Sequence, residues 1–212
     1  MLICKKLEPM TIHTHQYDIP KGLTFSGSVA VDTETMGLNP KRDRLCLVQL
    51  SSGDGDAHLV HFPQPRYDAP YLKQLLTDQN ITKIFHFARF DIAILSERLH
   101  IKCQPVYCTK IASKLARTYT DRHGLQDLCR DLLKIELSKA QQSSDWGSEV
   151  LTVRQQEYAA ADVLHLHQLK SQLDVMLERE GRTVLAKECF SFISTRATLD
   201  QNGWAQEDIF AH

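Results

Sequence analysis

Charge of one sign is missing from this chain of 212 residues: 25 Lys and Arg stand against 26 Asp and Glu, a formal net charge of −1. That balance lacks the broad basic footprint of a protein that tracks long duplexes, so any nucleic-acid contact has to be local. Long hydrophobic runs are absent too, none approaching the roughly 20 residues that span a bilayer. The N-terminal MLICKKLEPM places its lysines after its apolar residues and has no extended apolar core of a leader. The expectation is a cytoplasmic protein without membrane contact. Six cysteines form no Cys-x-x-Cys pair, and several lie in apolar stretches as buried reduced thiols do, so neither a disulfide framework nor a structural zinc site is expected. No repeat or low-complexity tract interrupts the chain, and 42% hydrophobic with 24% charged residues is the composition of one globular domain.

What is present reads as an α/β pattern. Val29 to Val31 runs into Asp32, and Leu45 to Leu50 is apolar throughout apart from Gln49; both read as buried central strands. With His58 to Phe62 and short turn-rich loops between, they predict an antiparallel meander. After Pro63 to Pro70 the chain alternates: helix Tyr71 to Thr77, strand Lys83 to Phe87, a helix carrying Ile92, Leu95 and Leu99, then a short strand at Val106 to Thr109. Helical patterns follow at Ile111 to Leu115 and Leu125 to Leu133. Thr152 and Gln155 match a capping box that opens one long helix through Leu164, Leu169, Leu173 and Leu177, followed by a helix over Val184 to Phe192. The expected architecture is a single domain over 1–212 with a mixed central sheet, meander plus parallel strands, flanked by helices. Its core spans about 25–180, and a helical tail over 181–212 packs on the body or on another subunit.

Asp32 and Glu34 flank Thr33 at the end of a strand, so period-two alternation points both carboxylates from one face. Taken alone, such a pair also describes a solvated strand end. Tyr158 and Asp162 are four apart in Glu-Tyr-Ala-Ala-Ala-Asp and share a helix face, either as a surface hydrogen bond or as part of a site packed against the sheet. Asp91, between a strand and a helix, suits a cap or a ligand-gathering strand end equally. Together, three elements offer four carboxylates and one phenol with no competing imidazole or thiolate pattern, a donor set for hard Mg²⁺ or Mn²⁺. Two such ions about 3.5–4 Å apart can activate water and stabilise a leaving oxygen in phosphodiester cleavage, with Tyr158 orienting the water.

The set Val-Asp32-Thr-Glu34-Thr, Phe90-Asp91 and Tyr158-x-x-x-Asp162, in this order, resembles the DEDD superfamily of 3′–5′ exonucleases, in the subclass with tyrosine before the last aspartate. Arg44-Leu-Cys-Leu-Val-Gln-Leu-Ser-Ser and Ser144-Asp145-Trp146 look like its ribonuclease D branch, the similarity running from about Ala30 to Leu169. Within that branch, Asp43-Arg44-Leu45, Lys83 to Phe87, Thr109 to Leu115, Tyr119 to Gly124 and the tail from Gly203-Trp204 to Asp208-Ile-Phe-Ala-His212 resemble the nano-RNase C family. The resemblance implies a ribonuclease H-like exonuclease fold and a divalent-metal-dependent 3′–5′ exoribonuclease. It implies that short single-stranded RNA is degraded down to and including dinucleotides, with release of 5′-nucleoside monophosphates. It further implies two ions held by Asp32, Glu34, Asp91 and Asp162, and a homo-oligomeric ring such as an octamer. The alternatives are ribonuclease D-type 3′ processing of structured RNA, action on DNA ends, or a catalytically silent scaffold. The short stretch after the catalytic helix is read as too little for the helical RNA-binding domains of ribonuclease D. One departure is Phe87 at the place where the superfamily usually has Asn, with His86 beside it as a polar substitute or a packed core histidine.

Candidate substrate contacts follow from position. Met36 and Leu38 come directly after the paired acids and suit either a wedge against a terminal base or a turn packed on the core. Thr33 and Thr35 flank the same acids. Lys110, Arg117, Arg122, His123 and Lys139 are the bases nearest the motifs and candidates for phosphate binding, while Gln142 and Ser143 offer hydrogen bonds to sugar and phosphate. Trp146 is expected to anchor its loop. His165 and His167, two apart on a helix, are expected to be one packed and one exposed, not a metal pair.

Overall fold

The computed structural model describes residues 11–138, 140–141 and 143–212; Cys4, Lys139 and Gln142 lie outside the described residues. The strands are β1 (Thr11–Gln16), β2 (Ser28–Thr35), β3 (Leu45–Ser51), β4 (Asp56–His61), β5 (Thr82–Phe85) and β6 (Val106–Cys108). They form one sheet in the order β1-β4-β3-β2-β5-β6. β2, β3 and β4 make the expected antiparallel meander, while β5 and β6 join β2's side in parallel. Every residue of β3 is buried, which explains its nearly continuous apolar sequence: this strand is covered on both faces.

β1 is an element the sequence pattern did not announce. Its Thr-Ile-His-Thr-His-Gln has one aliphatic residue, and it pairs only with β4, in parallel, at the sheet's edge. An edge strand half-open to solvent needs no apolar alternation, so no periodic signal marks it.

The helices are α1 (Pro70–Thr77), α2 (Ala88–Leu99), α3 (Thr109–Ala116), α4 (Leu125–Leu128, prolonged by a π turn to Leu133), α5 (Val153–Leu164), α6 (Leu166–Arg179) and α7 (Thr183–Leu199). The single long helix expected from Thr152 onwards is two helices broken at His165, whose ψ of −2° departs from helical geometry. The break has a packing cause. α5 lies on β2, β3 and β4, whereas Leu166, Leu169, Leu173 and Leu177 of α6 form a stripe against α3 and β5. The strand expected to reach Phe87 ends at Phe85, and Phe87 adopts a left-handed conformation, φ 67°, as the residue capping α2. The last helix is longer than expected and ends in a π turn over Asp200–Trp204.

Two apolar clusters occupy the sheet's two sides. The larger gathers Val29, Val31, Val48, Leu50 and Val60 with α2, α6 and α7. The smaller, Cys46, Leu47, Leu59, Trp146, Leu151 and Ala159, seats α5. Cys46, Cys103, Cys108 and Cys129 are buried free thiols, as expected. The tail returns to the body: Asp200 accepts from Arg89 Nη2 at 2.7 Å and Arg196 Nη2 at 2.6 Å, and Gln201 donates to the Ala93 carbonyl. His165 and His167 are both half-buried, correcting the expectation of one packed and one exposed.

His167 packs on Gly53, where a Cβ would stand 2.8 Å from the imidazole Cγ and where φ is +81°. Gly53→Ala is therefore expected to cost more than about 1 kcal/mol of stability. Adding His167→Ala should recover only the steric part, leaving the backbone strain; chemical denaturation of the single and double variants measures both.

Candidate active site

The meander delivers Asp32 and Glu34 to the end of β2, and α5 delivers Tyr158 and Asp162 above them. α5 is held in place from its first turn. Thr152 accepts from Gln155 N at 3.2 Å, the Gln155 side chain accepts from Thr152 N at 2.9 Å, and Gln155 Nε2 donates to the Asp145 carbonyl. Trp146, 3% exposed, packs its ring 6.1 Å from that of Tyr158, so the expected loop anchor also positions the phenol. The small faces of Ala159 and Ala160 are buried and allow the close approach that puts Asp162 over β2.

The result is a group of three carboxylates, Asp32, Glu34 and Asp162, with ligand oxygens all within 4.8 Å of one another. Asp91 stands beside this group but outside it: at the start of α2, buried, its carboxylate accepts a 2.6 Å hydrogen bond from Thr33 Oγ1. Burial pushes all four upward, and neighbouring acids add to it at Asp32, Glu34 and Asp91. Asp32 is raised well above the carboxylate range by burial, then by Asp91, Asp162 and Glu34. Burial, then Asp162 and Asp91, raise Glu34 to about 9. Burial raises Asp91 to about 7 against the opposing pull of Thr33, and Asp162 to about 7 against a hydrogen bond from Tyr158. Tyr158 is itself pushed above its ordinary value by burial and the same acids. Among the described residues no Lys or Arg contributes to these shifts. Clustered oxygen donors that repel one another and have no internal counter-charge fit a hard divalent cation.

Several expected substrate contacts are structural instead. Thr33 is 7% exposed and serves as the hydrogen-bond donor to Asp91, out of a substrate's reach. Thr35 donates to the Gly37 carbonyl in the turn. Arg117 is buried, paired with Asp131 and bonded to the Arg122 carbonyl, so no phosphate can reach it. His123 is engaged with Ser113, and His86 with Thr109 at 2.9 Å, burial lowering the latter to about 3 and making it a packed neutral imidazole. By contrast Leu38 is 85% and Met36 57% exposed, which suits a wedge and not a turn packed on the core. Leu38, Phe87, Arg89 and Phe90 line a cleft of about 450 Å³. Lys110 Nζ lies 4.2 Å above the Phe87 ring, and Ser143 and Arg122 are exposed. Lys139 and Gln142 lie outside the described residues.

Two further residues belong to this region. Gln49, fully buried opposite Asp32 in the β2–β3 register, reaches Asp32 with Nε2 at 3.5 Å. As the lone polar side chain within Leu45 to Leu50, it carried a readable signal. Phe87 holds a left-handed backbone that costs a non-glycine residue about 1–2 kcal/mol, and the residue is 45% exposed at the cleft.

Residues 8–178 match the 3′–5′ exonuclease family. The chain belongs to it. The exonuclease is 34% identical over 170 residues to ribonuclease D of Granulibacter bethesdensis, a match covering 80% of this chain and 42% of that protein. It spans less than half the length of the ribonuclease D relatives it matches. The structure of Brucella melitensis NrnC bound to pGG superimposes with a TM-score of 0.92 at 56% identity, covering 96% of this chain and 99% of that one. NrnC with bound Mg²⁺ superimposes equally, TM-score 0.92, at 55% identity over 96% and 100% of the two chains. Escherichia coli RNase D shares the fold at 25% identity, TM-score 0.73, over 85% of this chain and 48% of that one. The exonuclease is thus a ribonuclease D-like hydrolase of the DEDD superfamily, and a divalent metal is its implied cofactor.

Two outcomes are expected. The buried acids bind protons more tightly folded than unfolded, so without metal their contribution to stability is greatest below the ordinary carboxylate range. It is lost as pH rises through about 7 for Asp91 and Asp162 and about 9 for Glu34. Thermal melts in chelator should fall over that window, and the gain on adding Mg²⁺ should grow with pH; a gap that shrinks would contradict the assignment. Thr33→Val, which frees the Asp91 carboxylate, should weaken metal-dependent activity about 10–100-fold, read as a higher Mg²⁺ concentration for half-maximal rate.

Proposed function

We propose that this exonuclease removes nucleotides from the 3′ end of short single-stranded RNA, down to and including dinucleotides, releasing 5′-nucleoside monophosphates. Two Mg²⁺ or Mn²⁺ ions would be held by Asp32, Glu34, Asp162 and, with a turn of its side chain, Asp91. The observation that carries the reading is the group of three mutually repelling carboxylates beside Tyr158. When bound, the ions supply Lewis acidity at the attacking water and charge for the departing 3′ oxygen.

The chain's own groups do the positioning. Tyr158, raised above its ordinary value, keeps its proton at neutral pH, so it orients water by hydrogen bonding and does not act as a base. Thr33 holds Asp91, and Gln49 braces Asp32 from the next strand. Leu38 and Met36 are exposed where a terminal base would be wedged, and Lys110 places positive charge at the cleft's edge. The preference for short RNA is supported by likeness to a structure holding a ligand as small as pGG and by the chain's near-zero net charge. A second reading, 3′ processing of structured RNA, is favoured by the sequence likeness to ribonuclease D. Trp204 and Ile209, each 42% exposed, and Phe210, 78% exposed, support a tail over 181–212 that also joins subunits into a homo-oligomeric ring. No helix among the described residues is long and apolar enough to cross a membrane, in keeping with a cytoplasmic site of action.

Asp32→Ala and Asp162→Ala should each abolish hydrolysis, and Tyr158→Phe should lower kcat about 100-fold with Mg²⁺ binding intact. A length series from dinucleotide upward, RNA beside DNA, separates the readings: turnover that collapses at two nucleotides would overturn the short-substrate proposal. Leu38→Ala should raise KM more than it lowers kcat.

A further inference from the structure

The edge formed by β1 and β4 carries a cluster of imidazoles remote from the acidic site, separated from β2 by β3 in the sheet. His13 lies opposite His58 in the parallel register. Period-two alternation then projects His13, His15, Asp56 and His58 from one face of the two strands. His15 Nε2 is 3.1 Å from His58 Nδ1, and His13 Nε2 is 3.4 Å from Asp56 Oδ2. The His13 and His58 rings stack with centroids 4.8 Å apart, and the Phe25 ring stands nearly perpendicular to His58 at 6.0 Å.

Two ligand atoms on one tetrahedral ion, with bonds of about 2.0–2.1 Å, lie about 3.3 Å apart. Both pairs have that spacing, the His15–His58 pair as a nearly coplanar hydrogen bond that a bound ion would replace. The two pairs are separate as they stand, no three of the four donors lying within 4.8 Å of one another, so a shared ion requires the His13 and Asp56 side chains, 41% and 42% exposed, to turn toward His15 and His58. The charged and titratable groups facing the cluster are its own members and Asp54, with no Lys or Arg among the influences on His58. Burial and the neighbouring imidazoles lower both His15 and His58, so both are neutral, with lone pairs to offer, at neutral pH.

We propose that this edge is a second metal site, distinct from the catalytic one, for a borderline divalent transition ion of the zinc class. His15 and His58 form the chelating pair, and His13 and Asp56 complete the shell. Imidazole donors select such ions, whereas the carboxylate group suits hard Mg²⁺. The four donors share one face only when β1 is paired with β4, so a bound ion staples the edge strand to the sheet and stabilises the folded chain by mass action.

The test uses the full chain in excess Mg²⁺, which fills the carboxylate site, titrated with Co²⁺. One equivalent should give the intense visible absorption of four-coordinate cobalt, and Co²⁺ or Ni²⁺ should raise Tm beyond the value in Mg²⁺ alone. His15→Ala and the His13→Ala/His15→Ala pair, both on the edge strand, should lose the absorption and the Tm rise while retaining Mg²⁺-dependent hydrolysis of RNA, which reports that they fold. His58→Ala should behave likewise. Only the weak spectrum of octahedral cobalt, or an intense band that survives the double variant, would overturn the proposal and leave the cluster as a hydrogen-bonded pair of imidazoles.

Discussion

Carboxylates crowded within 4.8 Å of one another in a half-buried pocket cannot all ionise unless positive charge arrives from outside the chain. The surrounding architecture maintains that tension. β2 is anchored by β5 over Ser28–Ala30 and paired with β3 through Asp32 and Glu34 themselves, so the two acids cannot retreat from each other. α5 is capped at its first turn and seated on Trp146 and Ala159, so Asp162 cannot lift away. Relaxing any one of these supports would let the acids separate and ionise in water, at the expense of cation binding. Preorganisation is therefore supplied by neutral groups, Thr33, Gln49 and Tyr158, which hold the acids without neutralising them.

This local arrangement gives the global charge balance a physical sense. A chain with 25 bases and 26 acids has no diffuse field with which to attract a polymer, and on the proposed reading the positive charge at the phosphate is supplied by the divalent metal instead of the chain. The bases near the motifs are largely spent on structure: Arg117 is buried against Asp131, Arg89 ties the tail, and Arg44 donates to the carbonyls of Phe62 and Pro63. The cleft pairs an apolar wall of Leu38, Phe87 and Phe90, suited to nucleobases, with the two bases Lys41 and Arg89, the latter already tied to Asp200.

The features legible in the sequence are those governed by local periodicity. Asp32 and Glu34 share a face because strands alternate, Tyr158 and Asp162 because helices repeat, and the Thr152 capping box because its two residues are three apart. The buried meander followed from apolar runs. What could not be read depends on partners distant in sequence. β1 is a strand only because β4 offers it an edge; Arg117 looks like any surface base until Asp131, on the π turn after α4, meets it. Thr33 looked like a substrate contact because it flanks the acids, and only the approach of α2, some 58 positions on, makes it Asp91's donor. The break at His165 is invisible to periodicity because the leucine spacing continues across it, while the surfaces to be covered change from sheet to helices.

That break has a mechanical consequence. Were α5 and α6 one rigid rod, any repacking of α6 against α3 or α7 would tilt Asp162 by lever action over β2. With a joint at His165, α6 takes its direction from α3 and its other neighbours while α5 takes its own from the sheet, and the acid above the sheet keeps its aim. The joint uncouples the aim of Asp162 from strain in the helical layer.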